Sequence, residues 1–182
     1  MNKNIKRFVV SVLCVLTMIL AVGCKKEGAS VAANVPITDI VEAVKTAYGE
    51  NYVANMELDA TMLEELYGVK PEMYTEVYGA MPMMSAQVDT FIAVRAAEGQ
   101  ADAVEATLNG YRDYLVADTF QYPMNLPKIA GSKVYRNGDY VFFIMLGTMP
   151  MEVIDQGDEA AKAHAEEQNQ IAIDTINGLL NK

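Results

Sequence analysis

The segment "SKVYRNGDYVFFIML", Ser132 to Leu146, constrains the fold more than any other stretch of the chain. Asn137-Gly138 stands between two runs rich in β-branched and aromatic residues, and this dipeptide suits a two-residue type I′ hairpin turn. "VFFIM" is apolar at every position, so the strand it forms is shielded from water on both faces and is central in its sheet. Two earlier segments supply further strands. "MYTEVYGAM" and "VDTFIAVRA" share the β-branched and aromatic composition and read as a second pair, joined across 82–87.

Helical periods fill the rest. Ile37, Ile40, Val41, Val44 and Tyr48 recur at helical spacing, with Thr38 as N-cap and Gly49 as the stop. Asp59 caps a second, short helix carrying Leu63, Leu66 and Tyr67, closed by Gly68 and Pro71. After Gly99, Val104, Leu108, Tyr111 and Leu115 lie on one face of a long helix, and Pro123 and Pro127 bracket its exit loop. Asp158 begins a last helix with Ala161, Ala165, Ala172, Ile176 and Leu179 facing inward. The order α-α-β-β-α-β-β-α defines the expected class. It is α+β, with a four-stranded, mostly antiparallel sheet from two ββα units, helices packed on one face, and two N-terminal helices ahead.

The N-terminus carries a different message. Lys3, Lys6 and Arg7 precede an apolar run, Phe8 to Val22, interrupted only by Ser11 and Thr17. The run is short for a membrane span, which wants about 20 residues, and suits a secretory h-region. It ends in "ILAVGC", which resembles the lipobox of bacterial lipoproteins, with Ala21 where the motif has Leu and Leu20 one place early. The resemblance implies that residues 1–23 are a signal peptide, that the chain is cut before Cys24, and that this thiol carries a diacylglyceryl group. Two acyl chains hold a protein stably where one does not. Residues 24–35 then form the lipidated cysteine and a flexible tether, and 36–182 a single α+β domain at the outer face of the cytoplasmic membrane, or facing a periplasm.

The charge supports a domain held off that membrane. From Pro36 onward nine basic residues meet 23 acidic ones, a net charge of −14. Such a surface repels phosphate backbones and anionic headgroups, so nucleic acid is not an expected partner. Cys14 lies in the leader and Cys24 at its end, so the domain has no thiol for a disulfide, a nucleophile or a metal.

Taken in order, the lipobox, "ITDIVEAVKTAYG", "LEELYGV" closed by Pro71, "VDTFIAVRAAEGQADAVEATL" and "GSKVYRNGDYVFFIML" resemble the domain-of-unknown-function 4358 family of small bacterial lipoproteins. The resemblance covers nearly the whole chain and implies architecture and location. The family brings no assigned activity, ligand or catalytic residue. Its first hairpin connection is not Met-rich, so "MPMM" is a local departure.

Four constellations are candidates for chemistry. "GAMPMM" from Gly79 and "GTMPME" from Gly147 echo each other, and Met81, Met83, Met149 and Met151 are soft thioethers of the kind that favour Cu(I). The plainer reading is two strand ends, since Pro82 and Pro150 cannot donate to a ladder and Met fills irregular core edges. His164 and Glu167 share a helical face but lack a third zinc ligand. Ser85 and Ser132 lie in no nucleophile-elbow context. The tyrosines around the hairpins, Tyr74, Tyr78 and Tyr135 among them, read as core-edge packing or as a peptide or protein contact face.

The expectation is thus a lipid-anchored extracytoplasmic module that binds a protein, peptide or glycan without catalysis and without a cofactor. The alternative is a small extracytoplasmic hydrolase using paired carboxylates.

Overall fold

The computed structural model describes residues 34–181 apart from 85, 118 and 119. The leader, Cys24 and most of the tether lie outside the described residues, as does Ser85. Five strands form one antiparallel sheet: β1 (Met56–Glu57), β2 (Tyr74–Met81), β3 (Thr90–Ala96), β4 (Lys133–Asn137) and β5 (Tyr140–Met145). Their order is β1-β2-β3-β5-β4. The helices are α1 (Ile37–Tyr48), α2 (Ala60–Tyr67), α3 (Ala101–Ala117), α4 (Leu126–Ala130), α5 (Met151–Ile154) and α6 (Asp158–Leu180).

The α+β class holds, and four details differ from the sequence reading. The fifth strand, β1, pairs through Met56↔Met81 and Glu57↔Ala80 at the sheet edge. Two residues are too few to carry a period, so it left no mark in the sequence. The hairpin loop is Gly138-Asp139, flanked by the pair Asn137↔Tyr140. Positive φ falls on Gly138 alone, at 61°. That is the type II′ pattern, with glycine at the first central position, rather than type I′ on Asn137-Gly138. Pro36, rather than Thr38, holds the N-cap position of α1. The first amide of this helix, Ile37 N–H, donates instead to Glu76 Oε2 from β2 at 3.0 Å.

The largest difference concerns the faces. The helices cover both sides of the sheet instead of one. Phe91, Ala93, Phe142 and Ile144 pack under α1 and α6, with Ile40, Val44, Ala172 and Ile176 opposite them. Their chain neighbours Ile92, Val94, Val141, Phe143 and Met145 point the other way, under α2, α3 and α4, against Leu63, Val104, Leu108 and Ile129. β5 is buried at all six positions. A strand apolar on both faces needs a helix layer on each, and two ββα units with helices on one side cannot supply that. The pseudo-symmetry of the two units breaks for the same reason. A two-fold axis relating the antiparallel neighbours β3 and β5 runs perpendicular to the sheet and would keep both helices on one face, whereas α3 and α6 lie on opposite faces.

One buried polar residue locks α6 in place. Asn169 is fully buried. Its Oδ1 accepts from Leu146 N–H at 2.9 Å, just past β5, and its Nδ2 donates to Gly131 C=O at 2.9 Å, just before β4. Gly131 permits the close approach, since a Cβ there would meet Ala165 Cβ at 2.8 Å.

Replacing Asn169 by Leu leaves a buried N–H and a buried C=O without partners, each costing about 1–3 kcal/mol. The expected outcome is a loss of about 2–5 kcal/mol in urea unfolding, and an unchanged midpoint would overturn this account of the helix.

Candidate functional site

All connections at one end of the sheet are long. β2 stops at Met81 and β5 at Met145, and both residues stand level with Thr90, where β3 begins. Residues 82–84 and 86–89 after β2, 120–125 ahead of α4 and 146–157 after β5 therefore gather at that end. Three clefts open among them.

The first, of about 350 Å³, is lined by Met56, Tyr67, Met81, Met83, Met84, Tyr111, Leu115 and Met145, with Gln87, Asp89, Thr90 and Gln121 as polar members. A second, of about 490 Å³, shares Tyr67, Met81, Tyr111, Leu115 and Gln121 with it and adds Leu66, Tyr114 and Phe120. The two form one continuous groove. Its inner wall is aromatic. The rings of Tyr67 and Tyr111 lie 4.6 Å apart, and Tyr111 meets Phe143 edge-on at 5.3 Å, which joins the groove to the core. Burial pushes both tyrosine hydroxyls above their ordinary range, so they are protonated hydrogen-bond donors at neutral pH. Tyr67 O–H points at Met81 Sδ, 3.9 Å away.

The third cleft, of about 360 Å³, lies beyond Asp89 and holds Val53, Met124, Lys128, Gly147, Met149 and Met151. Gln87, Val88 and Asp89 line both this cleft and the first. Asp89 is 3% exposed. Lys128 Nζ lies 2.7 Å from Asp89 Oδ1, close enough to pair the charges although the approach is poorly aligned for a hydrogen bond. Lys128 also donates to Gly147 C=O at 2.6 Å. Burial pushes the Asp89 carboxyl up, and the Lys128 charge pulls it back.

The sequence candidates are scattered by this geometry. Met81 and Met83 line the first cleft, and Met149 and Met151 the third. Pro82 does follow β2 directly, but Pro150 caps α5, five residues past β5. Among the described residues no three His, Cys, Asp or Glu side chains come together as a metal site. His164 places Nε2 3.1 Å from Thr148 C=O. Ser132 is buried and donates to Ile129 C=O.

Tyr74, Tyr78 and Tyr135 are half-buried. Tyr78 and Tyr135 belong to the α1/α6 face and Tyr74 to the other. Tyr78, Ala93, Phe142 and Tyr135 form one row straight across the sheet, and Tyr135 donates to Asn177 Oδ1 of α6. The tyrosines that do line a cleft are Tyr67, Tyr111 and Tyr114, together with Phe120.

A domain of unknown function, DUF4358, matches residues 47–146, just over half of the chain. The chain belongs to this family. Comparison with curated proteins and with solved structures returned no match for either. The DUF4358 segment runs from the end of α1 to the loop after β5 and contains the whole groove, Asp89 and Lys128. It excludes Met149, Met151 and α6, and all but the last two residues of α1.

Two outcomes follow from these contacts. Asp89 titrates higher folded than unfolded, so its charge opposes folding above its folded-state pKa and is neutral in both states below about pH 3. Lys128→Met removes the countercharge and raises that pKa further. The variant should lose about 3–5 kcal/mol at pH 7 and recover towards wild type as the pH falls, whereas a pH-independent deficit in urea melts would contradict the pairing. A fragment of residues 47–146 bares Phe91, Phe142 and Ile144 on the α1/α6 face. Circular dichroism of that fragment should show no cooperative melt, and a sharp one would show that this face needs no cover.

Proposed function

We propose that this DUF4358 chain is a lipid-anchored, extracytoplasmic, non-catalytic binding module that engages its partner through the groove at the ends of β2 and β5. One observation carries the reading. The groove is a preformed apolar surface with a few polar points, Tyr67, Gln87, Thr90 and Gln121, which is the composition of a recognition site. Flexible, polarisable methionines suit such a surface because they reshape to fit what they contact.

The alternative, a hydrolase with paired carboxylates, needs two carboxyl groups facing one another across a substrate. Asp89 is the one carboxylate lining these three clefts, and Lys128 holds it. Support for the anchor comes from the "ILAVGC" segment and the leader ahead of it. No helix among the described residues is long and apolar enough to cross a membrane.

The test has two arms. Cys24→Ser should move the protein out of the washed membrane fraction, and retention there would remove the lipid anchor from the proposal. A crosslinked pull-down from intact cells should enrich a partner with the wild-type chain that is lost with Tyr114→Ser/Phe120→Ser. Equal recovery on both would place binding elsewhere than the groove.

A further inference from the structure

We infer that the first cleft is a thioether site for a soft monovalent cation of the Cu(I) class, held between Met56 and Met81 and closed over by Met83 or Met84. The site lies at the inner, methionine-lined part of the groove and uses neither Tyr114 nor Phe120. It goes beyond the partner contact proposed above and does not depend on the anchor.

The first observation is how many sulfurs share one place. The chain has 12 methionines, and Met1 and Met18 lie in the leader. Five of the other ten line this one cleft of about 350 Å³: Met56, Met81, Met83, Met84 and Met145. They are not the four that the Met-Pro-Met echo suggests. The echo contributes Met81 and Met83, while β1 brings Met56 and β5 brings Met145.

The second is register. Met56 and Met81 are direct partners across β1 and β2, so their Cβ atoms stand about 5 Å apart on one face of the sheet. Met81 is level with Thr90, whose partner is Met145. All three methionines belong to the α2/α3/α4 side. A thioether rides on three rotatable bonds, so two opposed methionines can turn their sulfurs to a point between them. The sulfur of Met81 already meets another lining group, since Tyr67 O–H points at it from 3.9 Å. A thioether sulfur has two lone pairs, and this contact uses one.

The third is what packing does not explain. Methionine fills irregular gaps in cores, which accounts for buried Met145 and half-buried Met56 and Met81. It does not account for Met83 and Met84, which are 77% and 61% exposed and line the same cleft. Exposed residues that also line a cleft stand at its mouth, where they can fold over an ion.

The donor set selects the ion. Thioethers are neutral and soft and favour Cu(I). The cost of desolvating an ion grows with the square of its charge, and neutral ligands do not offset it, so this apolar wall favours a monocation over a dication. Zinc takes thiolate, imidazole or carboxylate. The lining holds no Cys or His, and its one carboxylate, Asp89, is paired with Lys128. No Lys or Arg lines the cleft to repel a cation.

The experiment uses the full chain in detergent micelles with Cys14→Ser/Cys24→Ser, which leaves it no thiol. Silver nitrate serves as a Cu(I) stand-in that resists oxidation, read by the carbon-13 methyl signals of the methionines. One equivalent of Ag(I) should move Met56, Met81 and at least one of Met83 and Met84, and leave Met124, Met149 and Met151 in place. Zn(II) should move none. Cu(I) affinity, from competition with bicinchoninate under ascorbate, should fall at least about tenfold for Met56→Leu/Met81→Leu and for Met83→Leu/Met84→Leu, since a lost ligand costs no less than a lost outer-shell partner. It should be unchanged for Met149→Leu/Met151→Leu. Leucine keeps the volume and removes the sulfur, and melting curves would confirm that the variants fold. Equal shifts across all the methionines, or shifts with Zn(II), would overturn the inference. So would an unchanged Cu(I) affinity in either cleft variant, and Met83→Leu/Met84→Leu alters exposed positions only, so it decides the matter even if the other pair fails to fold. The intact-cell pull-down tests Tyr114 and Phe120 alone, so either reading can fail without the other.

Discussion

Everything in this structure follows from burying β3 and β5 on both faces. Phe91, Phe142 and Ile144 on one side and Ile92, Phe143 and Met145 on the other leave neither face of the two central strands in contact with water. Each large apolar side chain contributes about 1.5–3 kcal/mol on burial, so neither helix layer is dispensable. α1 and α6 close one side, α2, α3 and α4 the other. The polar contacts that position these layers are few and specific. Asn169 links α6 to both sides of the sheet end, and Arg112 ties α3 to the turn before β4 through two carbonyls.

The groove is a by-product of the same layering. α2 and α3 converge on the end of the sheet where β2 stops, and the rings of Tyr67 and Tyr111 pack there, tilted by 58°. The side chains past that point, Met83, Met84 and Phe120, have no layer above them and remain exposed. Deeper in, Asp89 and Lys128 are the charged pair in an otherwise apolar wall. A buried pair of this kind contributes little net stability compared with apolar residues of the same volume, but it penalises any arrangement that separates its members. It fixes Asp89, just ahead of β3, against α4 and the Gly147 carbonyl after β5.

Much of this was legible in the sequence. The 3.6-residue period placed α1, α2, α3 and α6, and the caps Asp59 and Gly68 bound α2 as read. The run "VFFIM" announced a doubly buried strand, and its demand for two helix layers was implicit in that run. The short elements were not legible. β1 has two residues, and α4 and α5 have five and four, too few for a period to stand out from a loop. The groove was half visible. A tyrosine-rich contact face was the expectation, and which tyrosines line a cleft depends on which ones a helix covers. Tyr78 and Tyr135 sit in one covered row of the sheet, while Tyr114 stands exposed on α3. The Asp89–Lys128 pair spans 39 positions. Its signal was a lone acid opening the apolar run "VDTFIAV" and a lone lysine within "LPKIAG", and nothing in one sequence says that they meet.

The entry of the chain has a mechanical consequence. Val35 is clasped by the Tyr140 hydroxyl, and the first amide of α1 is held by Glu76, itself fixed by Arg95 Nη1 at 2.7 Å. A pull arriving through the preceding residues loads these bonds first and then peels α1 from its side of the sheet. The aromatic wall of Tyr67 and Tyr111 lies on the opposite side, so it is sheltered from that load until the first layer has given way. In the proposed anchored module, load on the anchor would thus reach the groove last.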